Sequence, residues 1–209
     1  MKFNLTQRNN MYIDKVKTYT VGEYSFVNFL QLDDETIENI RIWRNHPNIR
    51  KVMYNKDEIS KEEHLSFIQY LNNTDSKLYW FVSKRDTPIG VISIFDIDEQ
   101  SNRAELGYYL FPPNLNSGIS VEFLATAHRF LFKEIGLQSV YGGTNINNTD
   151  AKLLNEYLGG KFGAEKALNG EIFIQHEITK ERFLEREDGL ENWRNFVRFC
   201  KKHPQNESH

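Results

Sequence analysis

The residues with the clearest chemistry lie between Arg103 and Ile135, RAELGYYLFPPNLNSGISVEFLATAHRFLFKEI. An apolar strand from Ala104 to Phe111 is stopped by Pro112 and Pro113, and a short polar loop from Asn114 to Ser120, containing Gly118, opens into a helix. Val121, Leu124, Ala125, His128, Phe132 and Ile135 follow the helical period along one stripe. A loop that runs straight into a helix gathers unpaired N–H groups and the positive end of the helix dipole at one point, which suits a phosphate. Neither G-x-x-x-x-G-K-[ST] nor G-x-G-x-x-G occurs, which argues against a Walker-type ATPase and a dinucleotide-binding unit.

The surrounding chain sets the bounds. Its 209 residues, 39% hydrophobic and 13% aromatic, are enough for one well-filled core and short for two, so a single domain over 1–209 is expected. A net charge of −3 argues against a nucleic-acid partner. Cys200 stands alone, excluding an internal disulfide framework or a cysteine zinc site, and the six histidines show no metal-binding spacing, so no metal is expected. No apolar run approaches the ~20 residues that span a bilayer, and MKFNLTQRNN lacks a signal-peptide core. The expectation is a soluble, cytoplasmic protein with no membrane partner.

Period and punctuation give the order of elements. A strand is expected around Val16–Val21 and another over Tyr24–Leu32, followed by a helix capped by Asp33 or Asp34 and a short helix from Pro47 to Met53. Ser60-Lys61-Glu62-Glu63 is a capping box that starts the next helix. Strands follow at Leu78–Lys84, Ile89–Ile97 and Ala104–Phe111, then the central helix, a strand at Ser139–Thr144 and a helix capped by Asn148 or Thr149. Phe162–Leu168 and Ile172–Ile178 form a hairpin around Asn169-Gly170. Residues 179–209 are a charged C-terminal extension ending in an amphipathic helix, whose stripe Trp193, Phe196, Val197 and Cys200 would pack back on the sheet or, less favoured, join two subunits of a homodimer.

This order, and the loop Leu115-Asn116-Ser117-Gly118-Ile119-Ser120, resemble the GNAT N-acyltransferases. Their loop reads Q/R-x-x-G-x-G/A; here Gly118 is kept, while Leu115 and Ser120 depart from it. The resemblance covers residues 25–178. It implies an α/β (α+β) fold with a mixed central sheet splayed between its fourth and fifth strands and acetyl-CoA in the gap, held by Leu110, Phe111, Asn116, Ser117, Gly118, Ile119, Ser120, Asn148 and Asn155. Asn148, Ala151 and Leu154 match the family's N-x-x-A-x-x-L-Y segment, but Asn155 takes the place of its tyrosine acid.

The N-terminal third narrows the resemblance. Trp43-Arg44-Asn45-His46-Pro47, Met53, Ile59, Glu62, Glu63, His64, Leu65 and Phe67 are similar to the nucleotide-sugar N-acetyltransferases of pseudaminic acid biosynthesis, which act on UDP-4-amino-4,6-dideoxy-N-acetyl-altrosamine. That implies a nucleotide-sugar pocket lined by Arg44, Met53, Tyr54, His64, Phe67 and Tyr109. The residue types fit: Arg44 can bind a diphosphate with two parallel bonds, His64 can add a donor, and Met53, Tyr54 and Phe67 offer surfaces for a uracil ring. Each also has a structural reading: Trp43 and Phe67 as core, Arg44 as a helix-end cap, His64 as an ordinary histidine. His128 is assigned to packing.

The implied reaction is direct attack of the sugar's C4 amine on the thioester. Glu105, where the family often carries a carboxylate, or water takes the amine's proton; Ser93 could act only through a water chain. The alternative for Glu105 is a surface pair with Arg103. A backbone N–H near Leu110 or Phe111 would hold the oxyanion. A thiol with a pKa of roughly 8 to 9 can leave without a committed acid. Two other readings stay open: a ribosomal-type protein N-terminal acetyltransferase, and a non-catalytic CoA-binding GNAT protein.

Overall fold

The computed structural model describes residues 6–8, 11–115 and 117–203. Two short strands, β1 (Thr6–Arg8) and β2 (Met11–Ile13), pair with each other. The main sheet has eight strands: β3 (Tyr19–Val21), β4 (Tyr24–Asn28), β5 (Lys77–Lys84), β6 (Thr87–Asp98), β7 (Arg103–Leu110), β8 (Ser139–Asn145), β9 (Lys161–Leu168) and β10 (Glu171–Thr179). They run in the order β3-β4-β5-β6-β7-β8-β10-β9. Neighbours are antiparallel except β7 and β8, which are parallel.

Local chemistry sets most boundaries. The expected strand Tyr24–Leu32 ends at Asn28, whose side chain accepts from the Leu30 N–H at 3.0 Å and turns Phe29–Gln31 into a 3-10 turn. Helix α1 (Asp34–Arg44) is capped by Asp33. The following α2 (Pro47–Arg50) is shorter than its apolar residues suggest, stopping before Met53. Ser60 and Glu63 complete the capping box of α3 (Lys61–Asn72). The central helix α4 (Ser120–Arg129) continues as a π-helical turn, Phe130–Ile135, and ends at Gly136 with φ 89°. Asn148 caps α5 (Thr149–Tyr157). Asn169 and Gly170, at φ 51° and 79°, make the two-residue turn between β9 and β10. The C-terminal extension forms α6 (Lys180–Leu184) and α7 (Trp193–Lys202).

Two apolar layers flank the sheet. On one face Trp80, Ile92, Ile94 and Val140 bury against α4 and its π turn, where Phe26 stacks on Phe130 at 4.3 Å. On the other, Val91, Phe111, Tyr79 and Phe81 meet Ile40 and Trp43 of α1 and Leu71 of α3. The side-chain alternation of each strand divides functional groups between these two faces.

Candidate active site

Strands β7 and β8 part company. They pair only at Arg103 with Ser139, Ala104 with Val140 and Glu105 with Tyr141. Beyond that point they diverge around a cleft of about 870 Å³ that reaches both faces of the sheet. Phe111 donates its N–H to the Ile89 carbonyl at 2.9 Å. Donors alternate along an antiparallel strand, so the N–H groups of Leu110 and Tyr108 turn the other way, toward the gap. This corrects Phe111 as an oxyanion or cofactor donor: its N–H is spent on β6, and its ring is buried 4.2 Å from Trp43. The Leu110 N–H is left facing the gap.

At the open end of β7, Ser117 bonds back to the Asn114 carbonyl through Oγ at 2.7 Å, and Gly118 turns the chain at φ 76°. No side chain caps α4, whose first intrahelical bond runs from the Phe123 N–H to the Ile119 carbonyl. The N–H groups of Ser120, Val121 and Glu122 therefore precede the helix's own bonding and point out of its start, as a diphosphate requires. Asn116 lies outside the described residues.

The cleft floor on the α4 side is polar. Asn155, 3% exposed, donates from Nδ2 to Thr144 Oγ1 at 3.0 Å, and Thr144 Oγ1 lies 3.4 Å from His176 Nδ1. His128 is fixed through Nδ1 to the Leu124 carbonyl at 2.7 Å, and its Nε2, also at the cleft, has no partner among the described residues. Burial pushes both histidines down to about 4, His128 adding to the effect on His176, so both are neutral at pH 7. His128 packs between Phe132 and Phe183 as expected, with one ring edge at the cleft. Sequence reading missed His176, although its inward register between Ile174 and Ile178 on β10 carried the signal.

The opposite face gathers the acceptor-side candidates. Tyr79, Ser93, Gly107 and Tyr109 line the cleft there with Glu105. Burial first and Asp96 second raise the Glu105 carboxyl above its ordinary value, making it a stronger base. Arg103 reaches Asp98 at 3.5 Å instead of Glu105. Ser93 is 6% exposed, its Oγ donating to the Gly107 carbonyl at 3.4 Å. Arg44 reaches the same cleft; Nη2 donates to the Asn55 carbonyl at 2.8 Å, while Nη1 is buried without a partner among the described residues. Met53 and Tyr54 line the cleft beside it, with the Tyr54 hydroxyl 3.4 Å from the Gly143 carbonyl.

Two expected pocket residues sit elsewhere. His64 is buried between helices with Nε2 at 3.1 Å from the Ile37 carbonyl. Phe67 packs edge-on against Tyr79 at 5.1 Å. Phe67 serves the second apolar layer, and both lie outside the cleft lining. Asn45, next to Arg44, instead clamps the loop that carries Met53 and Tyr54, with Nδ2 donating to the Ile59 carbonyl at 2.8 Å and Oδ1 accepting the Ile59 N–H at 2.9 Å.

The family model for the acetyltransferase (GNAT) domain matches residues 27–161. The chain belongs to the GNAT acetyltransferase family. It is accordingly an N-acetyltransferase with acetyl-CoA as donor. Among curated proteins, acetyltransferase PseH of Campylobacter jejuni strain 81-176 is 34% identical over 113 residues, 54% of this chain and 69% of that protein. PseH of strain NCTC 11168 is 40% identical over 85 residues, 41% of this chain and about half, 52%, of that protein. The solved C. jejuni N-acetyltransferase PseH aligns with TM-score 0.60 at 24% identity, covering 76% of this chain and 99% of that one. A spermidine N-acetyltransferase from Vibrio cholerae, solved with CoA and spermine, aligns with TM-score 0.69 at 16% identity, covering 78% and 99%. At these identities the two solved structures speak to the fold alone. Among the described residues no group of three or more His, Cys, Asp or Glu could hold a metal, and no helix is long and apolar enough to cross a membrane.

Proposed function

We propose that this GNAT enzyme acetylates the 4-amino group of a nucleotide-linked 4-amino-4,6-dideoxy sugar. One observation carries the reading: the Arg44 guanidinium is half-buried on the acceptor side of the cleft, with no carboxylate partner and with Nη1 unbonded among the described residues. A buried cation without a counter-ion is costly, and a diphosphate would supply both the charge and the missing acceptor. Burial lowers the Arg44 pKa, with Arg50 nearby acting in the same direction, yet a guanidinium remains charged. The 34% identity to PseH supports the same substrate class. A polyamine would bring positive charge toward Arg44, so a spermidine-type acceptor fits the site poorly.

When bound, acetyl-CoA supplies the thioester carbonyl carbon that the amine attacks. The chain's residues do the rest. Leu110 N–H faces the gap where the oxyanion develops and donates to it. Glu105, directly or through one water, takes the proton that the amine nitrogen loses as the amide forms. The sulfur leaves as a thiolate, with the second Asn155 Nδ2 hydrogen available to it, and takes its proton from solvent. The net change is amine plus thioester to amide plus thiol.

The test is thiol release from acetyl-CoA with a UDP-4-amino-4,6-dideoxy sugar, with an N-terminal peptide run in parallel, repeated for Arg44→Ala and Arg44→Lys. Turnover with the sugar that collapses in Arg44→Ala, with an unchanged KM for acetyl-CoA, supports the proposal. Turnover with the peptide alone would replace it with protein N-terminal acetylation.

A further inference from the structure

The C-terminal extension, residues 179–209, lies beyond residue 161, where the family match ends, yet it reaches the loop before α4. Arg129 and Lys133 of the central helix hold the approach to α7: Arg129 meets Glu187 at 2.9 Å and Glu191 at 2.8 Å, and Lys133 meets Glu187 at 2.6 Å. Helix α7 then lies across α4 and α5. Phe196 and Phe199 each stand 5.3 Å from the Tyr157 ring, and Phe199 and Cys200 join the main core. The apolar stripe thus packs back on the helical layer. Trp193, its first residue, behaves differently. A Cβ built on Gly118 would lie 3.7 Å from the Trp193 Cδ2 atom, so the indole rests on the phosphate loop, and it stays 48% exposed.

Charge supplies a second, independent observation. The sequence of α7, WRNFVRFCKK, holds Arg194, Arg198, Lys201 and Lys202 and no acidic residue, inside a chain of net charge −3. None of the four makes an ion pair among the described residues. Arg194 and Arg198 are exposed and four residues apart, on one side of the helix. An exposed indole on the loop before α4, followed on the same helix by cations without ion pairs among the described residues, matches an adenine ring and a ribose phosphate.

We infer that α7 completes the donor site, with Trp193 stacking on the adenine of CoA and Arg194 and Arg198 facing its 3′-phosphate. This rests on the assignment of acetyl-CoA as donor and extends it to a part of the chain outside the family domain. The gap between β7 and β8 would take the pantetheine arm, the uncapped start of α4 the diphosphate, and the extension the nucleotide. Base stacking on an aromatic side chain tolerates any base but not its absence, so the contribution belongs to the nucleotide half of the molecule alone.

Binding of CoA, dephospho-CoA, 3′,5′-ADP and S-acetylpantetheine to the full chain, followed by calorimetry and tryptophan fluorescence, tests the inference. Trp193→Leu keeps apolar bulk on Gly118 and is expected to weaken CoA about tenfold, abolish 3′,5′-ADP binding and leave S-acetylpantetheine unchanged. Arg194→Gln with Arg198→Gln is expected to erase the preference for CoA over dephospho-CoA. CoA affinity retained in Trp193→Leu, or equal weakening of CoA and S-acetylpantetheine with a lowered Tm, overturns the inference and leaves Trp193 a packing residue. Failure of the unsubstituted protein to bind either CoA or S-acetylpantetheine would instead remove the donor assignment beneath it.

Discussion

Gly107 crosses Ser93 so closely that a Cβ at position 107 would stand 2.7 Å from the Ser93 Oγ and 3.1 Å from the Phe95 ring. The two residues are cross-strand partners on β7 and β6, beside Glu105 on the acceptor face. Only a residue without a side chain fits here without displacing Ser93 or Phe95, on the face where the proposed amine would enter. Gly107→Ala is expected to lower kcat/KM at least tenfold and to cost stability through overpacking of about 1–3 kcal/mol. Ser93→Ala in the same chain removes the nearer clash and should recover part of both losses, a coupling that a double-mutant cycle with urea unfolding and steady-state kinetics would measure.

The raised Glu105 pKa predicts an acid limb in the pH profile. As the proposed base, Glu105 could take a proton only when ionised, and burial beside Asp96 shifts its protonation to higher pH than that of an ordinary glutamate. Activity should therefore fall as pH drops through that raised value. Glu105→Gln is expected to reduce kcat/KM at neutral pH about 100-fold and to erase this limb, leaving only the amine's own ionisation. A variant that keeps both rate and limb would move the proton to water alone.

The order of elements was legible because each turn carries its own punctuation. Ser60 with Glu63, Gly136, Asn148 and Asn169-Gly170 stand where the helices and the hairpin begin or end, and these signals are local. The divergence of β7 from β8 was reached only through resemblance, because where a parallel pairing stops depends on distant residues. Site residues divided the same way. Arg44 and Glu105 reached the cleft as expected, whereas His64 and Phe67, chosen from a motif, turned inward, since a half-apolar helix does not reveal which side its neighbours will cover. His176 was hidden by the opposite problem: its role appears only when β10 pairs with β8 and brings it to Thr144.

Asn45 explains the residue after Arg44 in the Trp-Arg-Asn sequence. Its amide closes both backbone groups of Ile59, and Arg41 Nη1 adds a second bond to the same carbonyl at 3.0 Å. The loop between α2 and α3 is thereby tied to α1 at the point where Met53 and Tyr54 enter the cleft. Asn45→Ala leaves the Ile59 N–H without its acceptor and is expected to cost about 1–3 kcal/mol. The acceptor KM should rise more than tenfold, while the affinity for acetyl-CoA, whose cleft Asn45 does not line, should stay within twofold. Loss of both affinities together would show the clamp to be a general stability element.

His128 makes stability depend on pH in a defined window. Its ring is 1% exposed, stacked on Phe183 at 5.5 Å and bonded to Leu124, and it stays neutral in the folded chain down to about 4. In the unfolded chain an ordinary histidine takes up its proton near 6.5. Between these values the unfolded state binds more protons, so the neutral ring's contribution is present above about 6.5 and is lost as pH falls toward 4. The interval of 2.5 units corresponds to about 3 kcal/mol at full loss. His176 on the same cleft floor, also pushed down to about 4, adds to the slope. His128→Phe keeps the contact with Phe183 and removes one titrating group, so its urea-unfolding free energy should lose visibly less between pH 6.5 and pH 4 than that of the unsubstituted chain. An unchanged slope would mean that His128 is reached by protons in the folded state, and that the cleft floor admits water as far as its Nε2.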